Sequence, residues 1–383
     1  LSNAIPGLQF KIELHCGDDY RALGDYQQAC DYYESARLRL SSEHDMKTAG
    51  LLYSSLGYCT YAAIHQRSAL SLPAEQRASQ EDMEQEFQRA LGLLVQSKNL
   101  YQVSSDVTGE GNVRLAHAQA LLDLNERRRQ ATLSKNQAST VIPIASSASS
   151  LREAEEQCHQ VLLTWQGSTN GVSVSTVLDV QIYTALAFLI RIAIQRAALG
   201  HFGGYVDTAF RERALAAYLC QEVLNSFTEN SMPWVLIQNV KTLQSDTIPY
   251  QPPSLPRLPE LTNGYKAFPH AMISQIEVYY SAGEVAEEFG RVTTEKDYAH
   301  SCYQRANQCF QTSLALARSL FNEGTAEPNY IIRCYQRCIC VLEERLLVGS
   351  NVPAETTRVL LNILEDVFHQ LNGSAVAIDK EAS

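Results

Sequence analysis

The stretch GDYQQACDYYESA, residues 24–36, places Ala29, Tyr33 and Ala36 at successive steps of four and three residues. Residues at these steps lie on the same face of an α-helix. The two small side chains allow a neighbouring helix to approach closely, and the tyrosine ring fills the space beside them. We therefore predict that this stretch forms a helix that packs tightly against another helix.

The same small–aromatic–small spacing recurs along the chain, in a looser form at some places. The copies are Met83, Phe87 and Ala90; Ala154, Cys158 and Val161; Ala214, Tyr218 and Gln221; and Ala299, Tyr303 and Ala306. Almost every long segment also repeats its apolar residues with the period of a helix, and strand-like alternation is rare. The pattern predicts an all-α protein with helices over 8–22, 25–41, 46–69, 76–104, 111–133, 149–166, 174–199, 206–227, 268–289, 295–321, 328–348 and 354–372.

The helices that precede the first two triplets carry a second pattern. The segments ELHCGDDY (residues 13–20) and YSSLGYCT (residues 53–60) both follow the spacing aromatic-x2-Leu-Gly-x2-Tyr, with substitutions. Together with the triplets, they resemble the tetratricopeptide repeat, a helix–turn–helix unit of about 34 residues. The best copy runs over residues 13–36 and has Glu13 where the family prefers tryptophan.

This resemblance implies a right-handed superhelical array of antiparallel helical hairpins, with long inserted loops because the copies are unevenly spaced. Residues 249–259 contain two overlapping PxxP spacings, which fit either an inter-repeat connection or a ligand of a polyproline-binding domain. The expected organisation is N-terminal helical repeats at 8–133, a flexible connection at 134–148, central helical repeats at 149–227, a Pro-rich connection at 228–264, C-terminal helical repeats at 265–372 and a frayed tail at 373–383.

The resemblance also implies a function. Proteins of this family bind peptides, helices or other proteins in a groove lined by the first helix of each hairpin. The chain is therefore expected to be a non-catalytic interaction scaffold or adaptor that binds a protein or peptide partner within a larger complex. A ligand-sensing regulatory module of a larger protein is the alternative. The groove positions implied by the two matching units are Lys11, Leu14, Asp18, Arg21, Leu51, Ser54, Tyr58 and Tyr61.

Composition excludes several other classes of function. The net charge of −11 argues against a broad nucleic-acid surface, which needs an excess of lysine and arginine. The ten cysteines form no disulfide framework and the chain shows no secretory signal, which predicts an intracellular protein. The most apolar run, residues 177–194, contains Asp179, Gln181 and Arg191, which favours a buried helix over a membrane span.

Motifs for catalysis, cofactors and metals are weak. The chain has neither a phosphate-binding loop nor a dinucleotide-binding fingerprint, so no cofactor is expected. Adjacent Cys158 and His159 would not face each other on a helix. The densest cysteine group could form a zinc site or a Cys/His active site, but cysteine also replaces alanine at close helix contacts, and we predict neither a metal nor catalysis. That group consists of Cys334, Cys338 and Cys340, with His300, Cys302 and Cys309 on the preceding helix.

Overall fold

A computed structural model describes residues 4–41, 44–69, 80–134, 144–168, 176–229 and 269–322. Within these ranges the chain forms ten α-helices and no strand, which confirms the all-α prediction for this part of the protein. The helices are α1 (Ala4–Ala22), α2 (Tyr26–Leu38), α3 (Met46–Ala69), α4 (Gln80–Val103), α5 (Val107–Ser134), α6 (Ile144–Ser168), α7 (Thr176–Phe202), α8 (Val206–Glu229), α9 (Pro269–Val292) and α10 (Lys296–Asn322).

The predicted helix positions agree with these bounds to within a few residues. The largest difference is at α6, which begins at Ile144 and so takes in the end of the connection predicted at 134–148. Alanine has the highest helix propensity, and Ser147, within this first part of the helix, is buried. The predicted helices at 328–348 and 354–372, the tail, and all but the first two residues of the Pro-rich connection lie outside the described residues.

The turn between α1 and α2 depends on a left-handed backbone. Gly24 has a φ of +79°, which a residue without a Cβ adopts at no steric cost. This conformation lets the amide of Asp25 donate to the carbonyl of Tyr20 at 3.0 Å, which closes the end of α1. The Asp25 side chain then accepts from the amide of Gln28 at 3.1 Å and caps the start of α2.

Glycines in one helix of a hairpin make room for aromatic rings in the other. A Cβ placed on Gly17 in α1 would lie 2.6 Å from the ring of Tyr33 in α2, and a Cβ on Gly283 in α9 would lie 2.6 Å from the ring of Phe310 in α10. Tyr33 is completely buried in this contact. The aromatic residue of the opening stretch is therefore the knob that fills the space opposite a glycine.

Consecutive helices pack as hairpins: α1 with α2, α3 with α4, α5 with α6, α7 with α8, and α9 with α10. Neighbouring hairpins meet through α2 and α3, α4 and α5, and α6 and α7, while α9 packs on α7 and α8. The first helices of the hairpins also contact each other in sequence, α1 with α3, α3 with α5, α5 with α7, and α7 with α9. We call this series, α1, α3, α5, α7 and α9, the first-helix row.

Helix α7 lies in the middle of the core. Its stretch Val180–Gly200 is the one segment within the described ranges that is long and apolar enough to cross a membrane by length and composition. Of this stretch, 78% is buried against other parts of the protein. A core helix passes the same test of composition, and here α7 packs against α5, α6, α8 and α9.

Candidate functional site

The structure places the predicted groove residues of α1 at different depths. Lys11 is exposed, Asp18 and Arg21 are half-buried, and Leu14 is buried with 8% of its surface exposed. Lys11, Asp18 and Arg21 are therefore accessible to a partner, whereas Leu14 belongs to the core cluster that also contains Phe10.

The residues predicted on α3 divide in the same way. Leu51 is 44% exposed, and Ser54 and Tyr58 are half-buried. Tyr61 is only 2% exposed and is part of the core. The accessible members of the predicted set form what we call the groove surface, and it lies on the first two helices of the first-helix row. The groove surface consists of Lys11, Asp18, Arg21, Leu51, Ser54 and Tyr58.

Polar contacts hold α1 against its two neighbours beside this surface. The hydroxyl of Tyr33 in α2 donates to Asp18 at 2.7 Å, and Arg21 donates to the hydroxyl of Ser55 in α3 at 3.2 Å. Arg21 also lies 4.0 Å from Asp18, and both side chains are about one-third exposed. Burial raises the pKa of Tyr33, so its hydroxyl keeps its proton and remains the donor to Asp18.

Tyr58 belongs to a series of aromatic rings. Its ring centre lies 6.3 Å from that of Tyr26 and 5.9 Å from that of Tyr61, both in edge-on geometry. The Tyr61 ring contacts Phe87 in turn at 6.1 Å, and the guanidinium of Arg127 lies over Phe87 at 5.6 Å. Burial lowers the pKa of Arg127. The exposed edge of Tyr58 is thus supported by packed rings, which fix its orientation.

A group of buried charges continues the row beyond Tyr61. The Tyr61 hydroxyl donates to Asp123 in α5 at 2.5 Å. Arg191 in α7 donates to Asp123 at 3.1 Å and to Glu284 in α9 at 2.9 Å, and its guanidinium lies over the ring of Tyr280 at 5.2 Å. The side chains of Arg191, Asp123 and Glu284 are 1%, 7% and 6% exposed. We call Tyr61, Asp123, Arg191 and Glu284 the buried charged cluster.

Helix α9 carries further buried acids on either side of Glu284. Glu277, Glu287 and Glu288 are all at most 3% exposed. Glu288 accepts from Arg213 in α8 at 3.4 Å, and burial raises the pKa of Glu288. This second pair ties α9 to α8, whereas Glu284 ties α9 to α7.

Sequence reasoning did not predict the buried charged cluster, although the chain contains two signals of it. Arg191 stands inside the most apolar helix, and an arginine buried there needs an acidic partner. Glu277 and Glu284 are two helical turns apart and so share a face of α9. Neither signal identifies the partner, because Arg191 and Glu284 are 93 residues apart in the chain.

Burial makes Cys158, Cys302 and Cys309 poor nucleophiles. Burial raises the pKa of Cys302 to about 11 and that of Cys309 to about 12, and it also raises the pKa of Cys158. A thiol must lose its proton to attack a substrate, so these groups are inactive near neutral pH. Within the described ranges, no three His, Cys, Asp or Glu side chains group closely enough to hold a metal ion. The remaining members of the cysteine group considered as a zinc site, Cys334, Cys338 and Cys340, lie outside those ranges.

A small cleft lies where α5, α6 and α7 meet. It is bounded by Glu110, Arg114, Thr164 and Gln181 and has room for about one water molecule. Arg114 is already paired with Glu110 and donates to Gln157 at 2.8 Å. The cleft is therefore too small for an organic ligand.

A scan against protein-family models found no match to this chain, and a search of curated proteins also found none. The geometry of the first-helix row therefore carries the functional inference.

Proposed function

We propose that this chain is a non-catalytic protein-interaction scaffold of the tetratricopeptide-like class, with its hairpins arranged as a superhelical array. The partner, a protein or peptide, binds on the groove surface of α1 and α3. The observation that carries this proposal is the position of Tyr58, a half-buried tyrosine at an accessible site, held by edge-on contacts with Tyr26 and Tyr61.

The chemistry of the groove surface suits a polypeptide ligand. Tyr58 and Leu51 offer apolar area, and a tyrosine that is already oriented loses little conformational entropy on binding. Lys11, Arg21 and Ser54 offer hydrogen-bond donors on the same two helices. An aromatic centre with a polar rim is the usual arrangement of a protein–protein interface.

Burial of the remaining residues of the row limits the proposed interface to its α1–α3 end. Leu14 and Tyr61 are buried, so they support the surface and do not contact the partner. Asp123, Arg191 and Glu284 are likewise enclosed and already paired with each other. Tyr58 is thus the aromatic side chain of the predicted set that a partner can reach.

The test is recovery of partners by the Tyr58→Ala variant. The tagged wild-type protein and the variant are used to capture proteins from a cell lysate, and the captured proteins are quantified by mass spectrometry. Removing a central aromatic side chain of an interface typically weakens binding by at least about tenfold, so proteins that bind on the groove surface should be lost from the variant.

Tyr205→Ala is the matched control, because Tyr205 is a 66%-exposed tyrosine on the α7–α8 turn, away from the groove surface. It should recover the same partners as wild type. Circular dichroism is used to check that both variants are folded. A folded Tyr58→Ala variant that recovers every wild-type partner would show that the binding surface lies elsewhere.

A further inference from the structure

An unbroken series of contacts leads from the groove surface to α9. It begins at Tyr58, whose ring contacts Tyr61 at 5.9 Å. It continues through the hydroxyl of Tyr61 to Asp123 at 2.5 Å, from Asp123 to Arg191 at 3.1 Å, and from Arg191 to Glu284 at 2.9 Å. The first contact lies within α3, and each of the three that follow crosses to the next helix of the first-helix row. Four hairpins are thus joined through side chains of their first helices.

Burial makes these contacts interdependent. The charged groups are at most 7% exposed, so water cannot replace a partner that withdraws. Arg191 is shared between Asp123 and Glu284, and a change at one carboxylate therefore alters the charge that balances the other. A change in one of these buried contacts is therefore expected to alter the others.

Asp123 also provides an alternative arrangement. Its Oδ2 atom accepts from both the hydroxyl of Tyr61 and the side-chain amide of Gln119, the latter at 3.1 Å. If the Tyr61 hydrogen bond is lost, Gln119 and Arg191 remain within hydrogen-bonding distance of Asp123, so the carboxylate is still hydrogen-bonded.

We propose that the buried charged cluster is a conformational relay between the groove surface and α9. A partner that shifts Tyr58 changes the Tyr61–Asp123 hydrogen bond and, through Arg191, the stability of α9. Because coupling between two sites is reciprocal, a change at Glu284 also alters α3. The partner in this statement rests on the proposed function, whereas the coupling between α3 and α9 is a property of the chain alone.

The experiment is hydrogen–deuterium exchange, measured by mass spectrometry on the Glu284→Gln variant. The glutamine keeps the size of the side chain and removes its charge at the far end of the relay. We expect amides of α3 around residues 51–61 to exchange roughly 2- to 30-fold faster than in wild type, as for other coupled sites. Glu288→Gln is the matched control, because Glu288 lies one turn away in α9 and is equally buried but pairs with Arg213 in α8. It should accelerate exchange in α8 and leave α3 unchanged.

The reciprocal variant, Tyr61→Phe, keeps the ring and removes the hydroxyl. It should accelerate exchange in α9 around residues 279–285, and it decides the matter if Glu284→Gln does not fold. The relay is overturned if Glu284→Gln leaves α3 at its wild-type rate, if Glu288→Gln accelerates α3 equally, or if Tyr61→Phe leaves α9 unchanged. Each of these results can occur while Tyr58→Ala still loses its partners, so the relay and the proposed function fail separately.

Discussion

The two ends of the first-helix row differ in how deeply their charged side chains are buried. At the α1–α3 end, Arg21 and Asp18 lie 4.0 Å apart with side chains 32% and 35% exposed. At the α5–α9 end, Arg191 is 1% exposed and bridges two enclosed carboxylates at 2.9 and 3.1 Å. Hairpins of similar internal packing thus produce an accessible surface at one end and an enclosed ionic contact at the other.

This difference decides what each end can do. An ion pair in contact with water contributes about 0–1 kcal/mol, so Arg21 and Asp18 can exchange their contacts for those of a partner at little cost. A buried pair contributes little net stability, but removing one member leaves an uncompensated charge. The exposed ion pair thus lies at the α1–α3 end, where we propose that the partner binds, and the enclosed ion pairs lie at the α5–α9 end.

The largest expected effect compares the two arginines directly. Arg191→Met should lower the free energy of unfolding by about 3–5 kcal/mol, because Asp123 and Glu284 would remain buried without their shared cation. Arg21→Met makes the same chemical change at the exposed end and should lower it by less than about 1 kcal/mol. Urea denaturation followed by circular dichroism measures both. Equal losses for the two variants would contradict the distinction between the two ends.

The all-α class and the positions of the described helices were predictable because their determinants are local. The spacing of Ala29, Tyr33 and Ala36 identifies a buried helix face, and all three residues are completely buried. The glycine opposite the ring is visible in the sequence too, as Gly17 in the preceding helix. Local patterns of this kind repeat in each hairpin, so the helix bounds follow from them with little information from distant parts of the chain.

The second prediction tests whether hairpin packing is the same at both ends. Gly17→Ala and Gly283→Ala should each lower the free energy of unfolding by about 1–3 kcal/mol, because the new methyl group would lie 2.6 Å from an aromatic ring. Gly92→Ala is the control, since no atom lies within 4 Å of its Cβ position in α4. It should raise the stability by about 0.5–1 kcal/mol through the lower entropy of the unfolded chain.

Thermal and urea denaturation of the three glycine variants give the comparison. A neutral Gly283→Ala beside a destabilising Gly17→Ala would mean that only the N-terminal hairpin packs as the opening stretch indicates. The two ends would then differ in the packing inside their hairpins as well as in the burial of charge along the first-helix row.

The burial of the groove residues was harder to predict than the positions of the helices. Helical periodicity indicates which residues share a face, and Leu51, Ser54, Tyr58 and Tyr61 do lie on one helix at such steps. It does not indicate which part of that face another helix covers. Tyr61 is buried where α5 packs against α3, and its hydroxyl donates to Asp123, which is 62 residues away in the chain.

The last and smallest effect concerns an ion pair of intermediate depth, between α6 and α7. Arg196 donates two hydrogen bonds to Glu155, at 2.5 and 3.0 Å, and both side chains are about one-quarter exposed. Burial alone raises the pKa of Glu155, but the two hydrogen bonds from Arg196 and the nearby His159, whose Nε2 lies 3.9 Å from the carboxylate, outweigh it and hold the pKa at about 2. Above pH 4.5 the carboxylate is ionised in both folded and unfolded chains, so the stabilisation is complete.

As the pH falls from 4.5 towards 2, the unfolded chain takes up a proton that the folded chain does not, and this stabilisation is lost. Glu155→Gln should therefore be less stable than wild type by about 1–2 kcal/mol at pH 7, a value reduced by partial exposure to solvent, and the difference should shrink steadily below pH 4.5. Glu156→Gln, at an exposed carboxylate on the same helix, is the control and should change stability little at either pH. Urea denaturation at pH 7, 4.5 and 3 measures the difference. A stability difference between wild type and Glu155→Gln that stays constant over this range would show that Glu155 acts through packing and not through its charge.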